Sequence, residues 1–402
     1  MREISDKMNI LLIPATDWLR HPVPSRLHHI FEIMAETENV HVLQFDLYPE
    51  NREMETNVIL HRPFVMPSKD MSMYYLLNFP FYSAELIKII KSKSIDVVVI
   101  SNLLPGVPAL LGKLSKVKIV YDYKDLFQYI PFAYYKSVFL SSMIKGFLEW
   151  LLIRLLKNSD LVVTVSLPLV HYLRKLGIQN VSFISNGVDL DLFRKNTRSS
   201  EVLNCDLVKD LEGNKNVIGV VGTIESWLDL ETVLRSVKQV ASVINDVKLL
   251  IVGGKIRTDY FESIKALAKT SGLQDRVFFT GSVPHEDVPH YIRMMDVCLN
   301  PVVSDLQYVM LPDKLFEYLA CGKPVVSTRA PEVIRVGRDA VKIYDDESSL
   351  SKILTTLLQD ENLQSSMQKT AFEIAKDYGW RSIAAKYRML LKELLNKEVK
   401  KN

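Results

Sequence analysis

A chain of 402 residues is too long for one ordinary hydrophobic core and fits two domains of nearly equal size. With 48% hydrophobic and 24% charged residues, 15 Gly and 17 Pro, it is globular and leaves no room for a long low-complexity tract. A formal net charge of +3, with no dense Lys/Arg block outside the C-terminal KEVKKN, argues against nucleic acid as a partner.

The N-terminal stretch through Trp18 carries a short apolar run ending at Pro14, which reads as a first strand rather than a signal peptide. Further short apolar runs follow at 40–45, 96–100, 117–121, 161–165 and 181–184, with helical patterns between them. Such alternation predicts a parallel sheet with helices on both faces, whose ligands bind outside the carboxyl ends of the strands. After the first strand, Asp17, Trp18 and Arg26 stand where an acceptor would dock. Alternatively, Ser25 caps the next helix, with Arg26 and His28 forming its solvated first turn. After KIVYD, Asp122 and Asp125 place two carboxylates at another strand end, where one would serve as a general base or bind acceptor hydroxyls. Asp122 reads equally as a helix cap.

The segment 133–158 is apolar, with Lys136, Lys145, Arg154 and Lys157 as its cations. It suits contact with an anionic bilayer surface, each cation contributing about 1 kcal/mol, or a core helix with solvated ends. Its greasiest part, 146–156, is broken by Glu149 and Arg154 and is too short to span a membrane. Cys205, Cys298 and Cys321 are odd in number, far apart and without C-x-x-C spacing, so no disulfide framework or zinc site is expected and a reducing cytosol fits.

Residues 186–216 are polar and poorly periodic and hold the domain boundary. The expected domains are 1–190, a linker at 191–215, a second domain at 216–378, and a C-terminal helix at 379–402 that packs back on the first. In the second domain, a strand at 217–222 leads through Gly222 and Thr223 to a helix from about Asp229. Strands KLLIVGG, RVFFTG, VCLNP and PVVST follow, with helices at 260–269 and 286–294. In the turn GSVPH, Gly281 to Val283 offer backbone groups to a nucleobase edge. Amphipathic helices around 350–377 and 380–397 close the chain.

The site is expected around LPDKLFEYLACGKPVVST, residues 311–328. Pro312 suits a first helical turn, and Gly322 ahead of Pro324 marks the stop. Leu315, Phe316, Leu319 and Ala320 share one side of this helix, and Lys314, Glu317 and Cys321 the other. Lys314 in the first turn adds to the amide end of the helix as a diphosphate site, and Glu317 has the reach to accept from two vicinal ribose hydroxyls. The plain alternative is an exposed i, i+3 ion pair worth a few tenths of a kcal/mol.

Together NGVD at 186–189, GVVGTIESWLD at 219–229, LLIVGG at 249–254, VFFTGSVPHEDVPHYI at 277–292 and PDKLFEYLACGKPVV at 312–326 resemble a family 4 type glycosyltransferase of GT-B fold, in the subgroup with E-W-F-D after the first strand of the second lobe. In the first lobe the likeness rests on strand order and DLVVTVS. The resemblance implies an α/β protein of two Rossmann-like, doubly wound parallel-sheet domains facing a central cleft. It implies a retaining, metal-independent hexosyltransferase without a cofactor, using a UDP- or GDP-linked sugar as donor. The acceptor would be a lipid-linked or cell-surface glycan precursor, and the location the cytoplasm, peripheral on the cytosolic face of the membrane. Glu317 matches the second acid of the family's E-x7-E motif. The first acid is replaced by Val309, so that Asp305 or backbone amides near Val309 and Met310 would stand in. The Arg and Lys that many members carry after the first strand of the second lobe give way to Glu225, Trp227 and Asp229, leaving Lys314 as the phosphate cation. A non-catalytic nucleotide-sugar-binding scaffold or a nucleotide-sugar epimerase shares the same fold.

Overall fold

The computed structural model describes residues 7–21, 23–48, 52–68, 70–124, 138–194, 211, 213–255, 259–303 and 311–399. The chain divides into two compact units, one of Met1–Ser185 with Arg381–Asn402 and the other Asn186–Trp380. The division falls at Ser185 rather than at 190, and α7 occupies the start of the stretch expected to be linker.

In the first unit the strands are β1 (Asn9–Ile13), β2 (Asn39–Leu43), β3 (Ile59–His61), β4 (Val97–Ile100), β5 (Lys118–Tyr123), β6 (Leu161–Thr164) and β7 (Val181–Phe183). The helices are α1 (Arg26–Ala35), α2 (Met71–Leu77), α3 (Phe79–Ser92), α4 (Leu103–Gly106), α5 (Val138–Asn158) and α6 (Leu167–Lys175). The sheet order is β3-β2-β1-β4-β5-β6-β7, every pair parallel, so the order reverses between β1 and β4. Strand β4, VVVI, is buried at every position, as a parallel strand covered on both faces must be.

The second unit contains α7 (Leu190–Arg194), β8 (Val217–Val221), α8 (Leu230–Ala241), β9 (Lys248–Val252), α9 (Tyr260–Thr270), β10 (Val277–Gly281), α10 (Val288–Met294), β11 (Val297–Asn300), α11 (Asp313–Ala320), β12 (Val325–Thr328), α12 (Pro331–Gly337), β13 (Val341–Tyr344), α13 (Glu347–Gln359) and α14 (Glu361–Lys376). Its parallel sheet runs β10-β9-β8-β11-β12-β13, with the reversal between β8 and β11. Carboxylates set the helix starts: Asp229 accepts from the Thr232 amide at 3.0 Å to begin α8, and Asp346 from the Ser349 amide at 2.7 Å to begin α13. Asp360 accepts from the Leu363 amide at 2.9 Å, and this cap breaks the expected single pattern at 350–377 into α13 and α14.

The last helix, α15 (Trp380–Val399), returns to the first unit. It is fastened there by Arg381 to Glu36 (3.1 Å) and by Arg388 to the buried Glu38 (2.5 Å), while the Tyr387 ring meets Phe31 edge-on at 5.4 Å. Glu38 also accepts from the Met8 amide at 2.6 Å, so the ion pair reaches the start of β1.

Candidate functional site

In the second unit, β8, β9 and β10 end in glycines with positive φ: Gly222 (146°), Gly253 (132°) and Gly281 (70°). They form a side-chain-free rim at the carboxyl ends of three adjacent strands, knitted by the Gly222 amide to Val252 O and the Gly253 amide to Gly281 O, both 3.0 Å. A Cβ on Gly253 would lie 1.9 Å from the Gly222 carbonyl oxygen, whereas one on Gly222 meets nothing within 4 Å among the described residues. The first glycine is required by packing; the second leaves open space for a ligand. Gly253→Ala is expected to cost about 2 kcal/mol or more in denaturant unfolding. Gly272→Ala, at φ 74° with an open surround, is the control and loses only about 1 kcal/mol or slightly more.

Helix α11 follows β11 beside this rim. Its end is a Schellman motif: Gly322 at φ 67°, the Gly322 amide to Leu319 O (3.0 Å) and the Lys323 amide to Tyr318 O (2.9 Å). Its start is held by Asn186 Nδ2, which donates to Leu311 O at 3.1 Å. The Tyr318 hydroxyl accepts from the Val221 amide at 2.8 Å and donates to Leu299 O at 3.3 Å, fixing the helix to the ends of β8 and β11. The expected two-faced helix is instead enclosed nearly all round. Leu315 through Ala320 are all buried, and Cys321, expected on the working face, lies in the core with its thiol directed at Phe193 O, 3.4 Å away. Helices α7 and α14 cover the side that sequence left open.

Glu317 is thus a carboxylate with only 6% of its surface exposed. Lys314 Nζ donates to its Oε2 at 2.8 Å, and His285 Nε2 lies 3.2 Å from its Oε1. Burial alone would raise its pKa, but the Lys314 charge and the His285 hydrogen bond prevail and bring it down to about 2. The i, i+3 pair therefore exists, but with a buried acid rather than on a solvated face. His285 carried no weight in the sequence: it stands in the turn after β10, and its spacing from Glu317 fits no helical or strand period.

Gly222 and Thr223 lie on the rim, with Thr223 half-buried, and Val283 is half-buried against the same core as α11. Glu225 is buried, Asp229 is spent as the α8 cap and Trp227 is exposed. Asp125, Asp305, Val309 and Met310 fall outside the described residues.

In the first unit the acceptor-side candidates Asp17, Trp18 and Arg26 are all buried. Asp17 Oδ1 accepts from the amides of Leu19 (3.1 Å) and Arg20 (3.0 Å) and from Gln44 Nε2 (2.7 Å), and Oδ2 from the amides of Leu47 (2.9 Å) and Tyr48 (3.2 Å). The carboxylate is fully buried and ties the loop after β1 to the segment after β2. Trp18 is buried too, stacked on His28 at 4.0 Å with Nε1 donating to Glu32 at 2.8 Å. His28 is not solvated: Nδ1 accepts from the Ser25 amide at 3.0 Å and Nε2 donates to Trp18 O at 2.8 Å, and burial pushes its pKa down to about 4. Arg26 and Asp122 form a buried pair, Nε to Oδ1 3.5 Å, and Arg26 Nη1 donates to Ser185 O. Asp122 lies inside β5, opposite Val163 of β6, and caps no helix among the described residues. Among the described residues, Arg26 Nε, Arg26 Nη2 and Asp122 Oδ2 are buried without a hydrogen-bond partner.

Two family models match the chain: Glycosyltransferase Family 4 over residues 34–192 and Glycosyl transferases group 1 over residues 215–360. The putative teichuronic acid biosynthesis glycosyltransferase TuaH of Bacillus subtilis is 28% identical over 248 residues, 60% of this chain and 57% of that protein. The GDP-mannose-dependent alpha-(1-6)-phosphatidylinositol monomannoside mannosyltransferase of Mycolicibacterium smegmatis is 26% identical over 187 residues, 44% of this chain and 48% of that protein. The chain therefore spans about half the length of these curated relatives. Among solved structures, Anabaena HepE in complex with UDP superposes with a TM-score of 0.70 at 17% identity, covering 96% of this chain and 100% of that one, which establishes likeness of fold.

Proposed function

We propose that this chain, which belongs to the group 1 glycosyltransferases of GT-B fold, moves a sugar with retention from a UDP- or GDP-linked donor to a lipid-linked or cell-surface glycan precursor. Glu317 carries the reading. It is ionised, nearly enclosed and beside the amide end of α11, and a carboxylate offers about four acceptor positions of which Lys314 and His285 occupy two. The remaining two match a vicinal diol, as a ribose presents. The positive end of the α11 dipole and the Lys314 ammonium then meet the charge of the leaving diphosphate, the role a divalent cation fills elsewhere. Lys314 has three N–H donors, and one is used on Glu317.

The relatives support the class of donor and acceptor. HepE holds UDP, and the mycobacterial relative is named for GDP-mannose and a phosphatidylinositol mannoside acceptor. Incubating the protein with a panel of nucleotide sugars and membrane lipid extract tests the proposal. Labelled sugar in the lipid phase is the expected result. Epimerised donor, or nucleotide binding with no transfer across the panel, would overturn it.

Contact with the cytosolic face of a membrane is part of the proposal. No helix among the described residues is long and apolar enough to cross a bilayer, yet α5 presents two faces. Leu152, Leu155 and Leu156 are buried, while Phe147 and Trp150 are more than half exposed and stacked 6.0 Å apart, with Arg154 over the Trp150 ring and Lys157 a turn further on. Two rings followed by two cations suit the interface of an anionic bilayer. Flotation with vesicles of phosphatidylglycerol is expected, and Phe147→Ala with Trp150→Ala reduces the bound fraction by roughly tenfold or more, since two rings forfeit about 2 kcal/mol or more of burial. Equal flotation of the variant would remove α5 from the contact.

A further inference from the structure

We propose that His285 is a positioning residue for nucleotide binding: from the turn after β10 it fixes the carboxylate plane of Glu317 so that the acid meets both hydroxyls of a ribose. This rests on the reading of Glu317 given above.

The turn that carries His285 is closely determined. β10 ends in Gly281 at φ 70°, and Pro284, at φ −55°, precedes a short 3₁₀ turn over His285–Asp287 that runs into α10. The imidazole lies between two groups, the ring of the buried Phe193 from α7 at 5.7 Å and Glu317 Oε1 at 3.2 Å. Helices α10 and α11 share one core cluster through Val288, Tyr291, Leu315 and Phe316. His285 immediately before α10 and Glu317 within α11 are thereby held at a fixed spacing. An ionised carboxylate only accepts, so Nε2 carries the proton in this contact, in either charge state of the ring.

Lys314 alone would not orient the acid. Its ammonium sits on a flexible stem and is 28% exposed, so it constrains one oxygen and leaves the carboxylate to rotate about its terminal bond, a broad two-fold torsion. A second donor on the other oxygen, from a ring packed against Phe193, removes that freedom. The two unused acceptor positions, one on each oxygen, then keep a set direction. Pre-organisation of this kind acts on every ligand that uses both oxygens and on none that uses neither.

The test is titration calorimetry with UDP or GDP, whichever the wild-type chain binds, and with its 2′,3′-dideoxy counterpart. His285→Ala is expected to weaken the ribonucleotide diphosphate at least fivefold and the dideoxy compound less than twofold. His285→Gln, whose amide can donate to the same oxygen, recovers most of the difference. Equal losses for both nucleotides, or no loss for either, would overturn the proposal and make His285 a packing residue. Glu317→Gln separates the two levels: if that variant keeps the wild-type preference for ribose over dideoxyribose, the ribose reading of Glu317 fails. If it loses the preference while His285→Ala does not, only the role of His285 fails. Melting curves of each variant confirm that the titrated protein is folded.

Discussion

Glu317→Gln is expected to weaken nucleotide diphosphate binding by about 1 to 3 kcal/mol, roughly fivefold to a hundredfold. The substitution is nearly isosteric, so the loss comes from chemistry. An amide has one acceptor atom where the carboxylate has two, and its NH₂ must face either the Lys314 ammonium or the His285 N–H, each itself a donor. A ribose then finds at most half of the acceptor capacity. Calorimetry with unchanged affinity would refute the ribose role.

The same variant carries a signature in acid. The Glu317 carboxyl titrates at about 2 in the folded chain against an ordinary value of 4.5. A depressed folded pKa contributes stability that is fully present above the unfolded value and is lost as pH falls toward the folded one. Wild type should therefore exceed the Gln variant in unfolding free energy at neutral pH, and the gap should close between about pH 4.5 and pH 2. Parallel profiles across that window would show that Lys314 and His285 do not stabilise the ionised acid.

The sheets were legible because parallel strands buried on both faces leave continuous apolar runs, as in VVVI of β4 and VIGVV of β8. β3 was not, since the short edge run ILH is half exposed and has no pattern to show. The break at Asp360 was hidden because the amphipathic period of α13 resumes in α14, and only the cap bond to the Leu363 amide reveals it. For the site, Pro312 and Gly322 marked the limits of α11, and the i, i+3 spacing of Lys314 and Glu317 survived intact. What the period of one helix cannot encode is how many neighbours surround it. Cys321 reads as exposed on an isolated helix and is covered by Phe193, while His285 reaches Glu317 only through the packing of α10 against the core it shares with α11. Asp17 shows the converse ambiguity: a polar residue at a strand end is the signature of a ligand contact and equally of a loop whose own amides need an acceptor, as those of Leu19, Arg20 and Leu47 do here.

The largest effect on stability is expected at Asp122. Arg26 and Asp122 each expose only 2% of their side chains, and apart from the Ser185 carbonyl the guanidinium has no charged or carbonyl partner besides Asp122 among the described residues. Asp122→Ala would leave a buried, permanently charged group uncompensated and cost about 3 to 5 kcal/mol. Asp122→Leu combined with Arg26→Met removes both charges and both desolvation terms and should recover most of that loss, because the present pair already leaves Nη2 and Oδ2 unsatisfied. Denaturant titration of the three chains gives the comparison, and a double variant as unstable as Asp122→Ala would show that the pair is not balanced in this way. Activity then decides whether Asp122, proposed from sequence as a general base, takes part in chemistry. A double variant that folds as well as wild type and transfers sugar at the wild-type rate makes the pair architectural, joining α1 to β5 at the strand ends. If it is stable yet inactive, the Asp122 carboxylate has a role in the reaction that stability does not require.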